Sequence, residues 1–236
     1  MAGMIVFNGV DITSVAPVKI DDIRVSSIRY SPVVRQRAIR WGSDFVRTDG
    51  GDRTITITLA LLERNQILRH EALMALSEWA RTDGEYKLEL PTDPNRCLYC
   101  VCTQKPDPST REWWENRLVF VFNCYNNPFW TAIEEKSVAC GTAFRAAGNA
   151  PPLMRIERTV SGSAASNQSY SDGTDTMTFS TIPVGDMVID LNAQTAKVGS
   201  TSIMQYYQSA GSFIVPKPGS VTITGTGTVK YRERWE

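Results

Sequence analysis

The run Asn126-Asn127-Pro128-Phe129-Trp130 divides this chain into two stretches of different character. Proline donates no backbone hydrogen bond and biases the residue before it away from helix, so a regular element ends there. Ahead of the break, strand-like alternation is interrupted by one helical stretch. Past it, a Gly/Ala-rich segment from Gly141 to Pro152 reads as a connector. Everything beyond reads as short strands.

Within the first stretch, Met4 to Phe7 and Ile20 to Tyr30 read as strands, and Thr54 to Leu59 alternates as a half-buried strand does. Between them, residues 31–53 hold Arg35, Arg37, Arg40, Arg47 and Arg53 with Gly42, Gly50 and Gly51. A segment this polar cannot bury itself and is expected to form a long exposed hairpin, or arm. Glu63 to Thr82 is expected to be the single helix, because Ile67, Leu68, Leu73, Leu76, Trp79 and Ala80 recur every three or four residues. Tyr86–Leu90, Arg96–Cys102 and Arg111–Tyr125 follow as strands, the last two joined by a turn around Lys105-Pro106-Asp107-Pro108.

The second stretch offers strands at Met154–Val160, Thr176–Ser180, Asp186–Leu191, Ala196–Val198, Ser212–Val215, Ser220–Thr224 and Thr228–Arg234. Many short strands separated by turn residues are the pattern of a β-sandwich. Gly225-Thr226-Gly227 is expected to join the last two as a tight hairpin, and Ser161 to Thr174 to form a long polar loop. The expected fold class is mainly β with an α+β first unit.

Charge narrows the partners. Residues 1–130 carry 16 Lys/Arg against 16 Asp/Glu, and residues 131–236 carry 9 against 9. Binding to nucleic acid or an anionic membrane rests on clustered positive charge, so neither half is expected to bind DNA tightly. The first residues lack the basic and apolar regions of a signal peptide, and no stretch approaches a membrane span of ~18 apolar residues. The five cysteines are therefore expected to be reduced thiols in a cytoplasm.

The chemistry-bearing residues have plainer readings. Cys97, Cys100 and Cys102 could open a metal site, but the only histidine is His70, and free cysteine on a strand packs as a small apolar residue. His70 lacks a matched nucleophile and acid. Neither a Walker A loop nor a dinucleotide fingerprint is present. Asp172-Gly173-Thr174-Asp175 suits a turn better than a calcium loop. Trp113-Trp114 and Tyr206-Tyr207 could stack on sugars or serve as core and interface aromatics. No catalytic residue, cofactor or metal is expected. For the arm, arginines that form bidentate bonds favour a subunit contact, with Arg35, Arg37, Arg40, Trp41, Phe45 and Arg47 as the interface residues.

The order of these pieces is diagnostic. Phe7-Asn8-Gly9-Val10-Asp11 opens the chain, followed by the Arg/Gly-rich arm, the Thr54–Leu59 strand, one helix, Asp93-Pro94-Asn95-Arg96 and Asn126–Trp130. Then come Gly185-Asp186-Met187-Val188-Ile189-Asp190, Phe213–Ser220 and a Val229–Trp235 ending. Over nearly its whole length this resembles the distal tail proteins (the Dit family) of long-tailed bacteriophages with non-contractile tails. The resemblance implies a β-sandwich or split barrel over residues 1–140 with one helix and a belt hairpin near 31–53. A linker at 141–152 and a galectin-like β-sandwich at 153–236 would follow. It further implies a non-enzymatic virion protein at the tail tip, made in the bacterial cytoplasm and closing into a homohexameric ring. Its partners would be the tail tube protein, the trimeric tail-tip hub protein and receptor-binding or baseplate proteins, with DNA only as passing cargo. A different reading makes the chain a carbohydrate-binding adhesin that recognises a host surface glycan.

Overall fold

The computed structural model describes residues 4–28, 30–36, 43–106, 117–208 and 212–236. The chain parts between Trp130 and Thr131 into two compact units.

Unit 1 begins with β1 (Val6–Phe7) and β2 (Val10–Asp11). Asn8 and Gly9 join them at φ of 50° and 77°, the doubly left-handed turn that a two-residue hairpin needs. Asp11 then caps the short α1 (Ile12–Val15) by accepting the Thr13 N–H at 3.0 Å. β3 (Val18–Val25) pairs antiparallel with β6 (Arg53–Leu61). The excursion between them forms β4 (Tyr30–Gln36) and β5 (Ser43–Gly50), which pair in register from Tyr30↔Gly50 to Gln36↔Ser43. Val46 is an extra residue there, because Val33 faces Arg47 while Val34 faces Phe45. Among the described residues, β4 and β5 pair only with each other. The long hairpin expected at 31–53 is therefore a two-stranded ribbon about 25 Å long.

After α2 (Gln66–Trp79) come β7 (Tyr86–Glu89), β8 (Arg96–Gln104) and β9 (Arg117–Cys124). One layer has the order β2-β1-β7-β8 and the other β3-β6-β9-β8. β8 serves both, its first half pairing β7 up to Tyr86↔Cys100 and its second half pairing β9 from Val101↔Asn123. Strict alternation explains the core: Ile55, Ile57 and Leu59 on β6 stand opposite Phe122, Phe120 and Leu118 on β9, and all six are buried together with Leu61 and Cys124. Trp79 closes this core from the helix, its ring edge-on to Phe7 at 5.6 Å and Phe120 at 5.9 Å. Its indole N–H donates to the Val10 carbonyl at 3.0 Å.

The helix is shorter than its periodicity predicts. The Glu63 carboxylate accepts the N–H groups of Arg64 and Asn65, both at 2.8 Å, which holds these residues in a turn, and Asn65 becomes the N-cap. Of the expected apolar positions, Leu73, Leu76 and Ala80 are buried, whereas Ile67 and Leu68 are 71% and 47% exposed.

Unit 2 is reached through β10 (Trp130–Ala132). It contains β11 (Lys136–Ala139), β12 (Phe144–Ala146), β13 (Ala150–Val160), β14 (Ala165–Ser171), β15 (Thr176–Ile182), β16 (Gly185–Asp190) and β17 (Thr195–Val198). The short β18 (Thr201–Ser202), a 3₁₀ turn at Met204–Tyr206, β19 (Tyr207–Gln208), β20 (Gly219–Val221) and β21 (Thr228–Trp235) complete it. One sheet runs β11-β21-β13-β16-β17-β18; β14-β15-β19 and β12-β20 form two smaller ones. Ile156, Ile189, Val229, Phe179, Met177, Tyr170 and Ile223 are buried together as the core.

Three expectations change here. Ser161–Thr174 is not a long loop: its second half is β14, paired with β15 from Ala165↔Ile182 to Ser171↔Thr176. Its inward face carries Tyr170 and its outward face hydroxyls, so hydrophobic alternation was too faint to register. Ser212–Val215 lies in no strand, although Phe213 and Ile214 are buried. Gly225-Thr226-Gly227 does not close a hairpin between β20 and β21, because β20 pairs with β12. Those glycines answer to close approach instead: a Cβ on Gly225 would meet the Tyr170 ring, and one on Gly227 the Glu157 carbonyl. Residues 141–152 also hold structure, since β12 lies in them and Ala146 and Ala150 are buried.

Candidate assembly surfaces

The arm is rooted in the sheet by polar bonds that continue the β3–β6 ladder by one pair. Ser26 donates its N–H to the Thr54 carbonyl at 2.9 Å, and Thr54 returns its own N–H to Ser26 Oγ at 2.9 Å. Thr54 Oγ1 donates to Asn123 Oδ1 at 2.9 Å, and Asn123 Nδ2 donates to Thr103 Oγ1 at 3.0 Å. One hydrogen-bonded row therefore crosses β6, β9 and β8 directly beneath the ribbon. Arg53, counted with the arm by sequence, belongs to this root: it is 3% exposed, with its guanidinium 6.0 Å from the centre of the Trp130 ring.

The expected interface residues divide in two. Arg35 lies in β4 opposite Asp44, Phe45 in β5 opposite Val34, and Arg47 in β5 opposite Val33. Arg37, Arg40 and Trp41 lie outside the described residues, as do Trp113 and Trp114.

The residues considered for chemistry are dispersed or structural. Cys97 and Cys100 are buried and Cys102 partly so, and burial pushes the Cys102 thiol up. His70 is exposed on α2. Among the described residues no three His, Cys, Asp or Glu side chains gather as metal ligands. Asp172 Oδ1 accepts the N–H groups of Thr174 and Asp175 at 2.9 and 2.7 Å, as a turn residue does. Asp21 and Asp22 pair with Lys19 and Arg24 along β3. Tyr206 and Tyr207 both pack on the core of unit 2, Tyr207 against Phe179 and Phe213.

Sequence reasoning missed a charged lattice on the outward face of the large sheet in unit 2. Arg155 grips Glu135 with two bonds of 2.7 and 2.9 Å and donates its Nε–H to Glu157 at 2.6 Å. Lys230 reaches the other Glu157 oxygen at 2.7 Å. Lys230 and then Arg155 hold the Glu157 carboxyl below its ordinary range. The lattice comes from register: Arg155 is opposite Lys230, and side chains two apart on one strand share a face. The alternating charges Arg155/Glu157 and Lys230/Arg232 were the available signal. Beside them, Glu233 is buried and accepts from Lys136 Nζ at 2.8 Å and the Ala147 N–H at 3.0 Å. Burial raises its carboxyl, but these two donors outweigh that effect and leave it below the ordinary value. An open depression on this unit is lined by Glu157, Arg158, Thr159, Thr226 and Lys230, with no aromatic ring in its wall.

The crystal structure of SPP1 Dit (gp 19.1), described as a paradigm of the hub adsorption apparatus in phages infecting Gram-positive bacteria, superposes with a TM-score of 0.77. The match covers 100% of both chains at 15% identity. A chain from the phage P2 baseplate in its activated conformation with calcium matches with a TM-score of 0.53 at 10% identity, over 99% of this chain and 98% of that one. Neither a protein-family model nor a curated protein matches the sequence. The chain thus has the fold of the SPP1 Dit protein, the mainly-β class expected from its sequence.

Proposed function

We propose that this chain is a structural component of a phage tail tip, a distal tail protein whose copies close into a hexameric ring. The ring joins the tail tube above to the tail-tip hub and adsorption apparatus below. The observation that carries this reading is the end-to-end likeness to SPP1 Dit at a TM-score of 0.77, which spans both units rather than one common sandwich. The ribbon β4–β5 supports it, because a two-stranded sheet with no third strand beside it among the described residues is suited to lie on another molecule.

In this reading each subunit contributes unit 1 to the ring and lays its arm on the next copy, a heterologous contact that closes by rotation. Arg35, Arg37, Arg40 and Arg47 supply bidentate donors, and Trp41 and Phe45 supply apolar area. Unit 2, a galectin-like sandwich, faces outward and seats adsorption proteins. The balanced charge of the chain suits a bore through which DNA passes without being held.

Native mass spectrometry and electron microscopy of the purified protein test the proposal. Six copies in a ring are expected, alone or with tube and hub partners. A strict monomer at high concentration in the presence of both partners overturns it. Replacing Arg35, Arg37 and Arg40 together by Ala is expected to reduce ring formation at least tenfold with an unchanged circular dichroism spectrum. Unaltered assembly would remove the arm from the interface.

A further inference from the structure

Cys100 and Cys124 stand opposite each other where β8 meets β9. The ladder pairs Cys102 with Phe122 and Val101 with Asn123, so the next pair in register is Cys100 with Cys124. Directly opposed residues in an antiparallel pair have Cα atoms ~4.5–5.5 Å apart, within the ~4.4–6.8 Å that a disulfide spans. Both side chains are fully buried on the core side. Cys97 is opposite Glu89 and Cys102 opposite Phe122, so neither meets another thiol across a strand pair.

From this geometry we infer that Cys100 and Cys124 form a built oxidation site that closes to a buried cross-strand disulfide when the protein meets a peroxide. In the first step one sulfur attacks an oxygen of hydrogen peroxide while its thiol proton passes to the departing oxygen, the O–O bond breaks, and water and a sulfenic acid result. In the second step the other sulfur attacks the S–OH sulfur, and the oxygen leaves as a second water. Two thiols and one peroxide thus give one disulfide and two waters, the sulfurs being oxidised by two electrons. Burial slows the first step, so the free thiols persist in a reducing cytoplasm. The position of the bond gives it a consequence. Arg53 is opposite Cys124 and Thr54 opposite Asn123, so the disulfide would staple β8 to β9 at the root of the arm.

The test uses the wild-type chain. It is incubated with hydrogen peroxide, quenched with catalase, unfolded in guanidinium with N-ethylmaleimide and analysed by intact mass and peptide mapping. Three alkylated cysteines and a Cys100–Cys124 cross-linked peptide are expected. The thermal midpoint of the oxidised protein should be several degrees above that of the reduced form and return on treatment with a phosphine reductant. Five alkylated cysteines after prolonged oxidation overturn the inference. So does sulfinic acid at either position without a bridge, or a bridge that uses Cys97, Cys102 or Cys140. Cys124→Ala provides a second reading: its Cys100 should now stop at a sulfenic acid that dimedone traps, and absence of that adduct in the folded variant counts against the site.

Discussion

Ser26 and Thr54 exchange two hydrogen bonds of 2.9 Å at the point where the arm leaves the sheet, one of them through the Ser26 hydroxyl. Thr54 also donates its own hydroxyl to Asn123, so its backbone and side chain are both held. Ser26→Ala removes the hydroxyl that accepts the Thr54 N–H at a half-buried position and is expected to cost about 1 kcal/mol. The loss should be local. Hydrogen exchange is expected to speed up in peptides containing residues 53–56 while Phe120 and its neighbours keep their protection. Unchanged exchange at Thr54 would mean that the hydroxyl does not hold the root.

Phe122 meets Phe7 at 5.0 Å and Trp79 at 6.2 Å, joining β9 to the first hairpin and to α2 at once. It is fully buried. Phe122→Ala leaves a cavity between three elements that cannot all collapse into it, and the expected loss is about 3–5 kcal/mol. Guanidinium unfolding monitored on unit 1 checks this. A loss below about 1 kcal/mol would show that the aromatic cluster repacks freely.

How far the sequence revealed this molecule depended on how much apolar periodicity each element carried. β6 and β9 were legible because Ile55, Ile57 and Leu59 and then Leu118, Phe120 and Phe122 alternate without interruption. β14 was not, since Ser166, Asn167, Gln168 and Ser169 surround a single buried ring, Tyr170, and hydroxyl pairs such as Ser169–Thr178 organise its outward face. The glycines at 225 and 227 looked like turn residues, whereas each is small because another segment passes close by. The Arg155–Glu157–Lys230 lattice needed the register of β13 against β21, which no local pattern encodes. The arm was legible from polarity, but the residues that anchor it, Ser26, Thr54 and Asn123, are ordinary strand residues whose role depends on pairing.

Gly148 illustrates close approach most sharply. Its φ is +104°, and a Cβ there would collide with the Arg234 carbonyl, with which it shares a parallel bridge. The obstacle is backbone, so no side-chain rotation relieves it. Gly148→Ala is expected to destabilise unit 2 by more than 2 kcal/mol, combining strain at positive φ with displacement of the last strand. The check is a denaturant midpoint together with the yield of soluble protein. A variant as stable as the parent would require β21 to shift at little cost.

Glu157 carries the clearest pH dependence. Lys230 and Arg155 bond its two oxygens and hold its folded carboxyl below the ordinary 4.5, so the folded state binds fewer protons than the unfolded one near that pH. A depressed acid contributes stability that is fully present above its unfolded value and is lost as pH falls through its folded value. The lattice lies at a surface, with the Glu157 side chain 29% exposed and Arg155 38%, so screening keeps the contribution to about 0.5–1 kcal/mol. Glu157→Gln should therefore lower stability by about that amount at neutral pH. The gap to wild type should narrow as pH drops below 4.5 and close once pH has fallen through the folded value. High salt should narrow it at neutral pH as well, because the partners are partly solvated. Denaturant melts of both proteins across this pH range provide the comparison, and a gap that stays constant down to acid pH would show that the carboxylate charge contributes nothing.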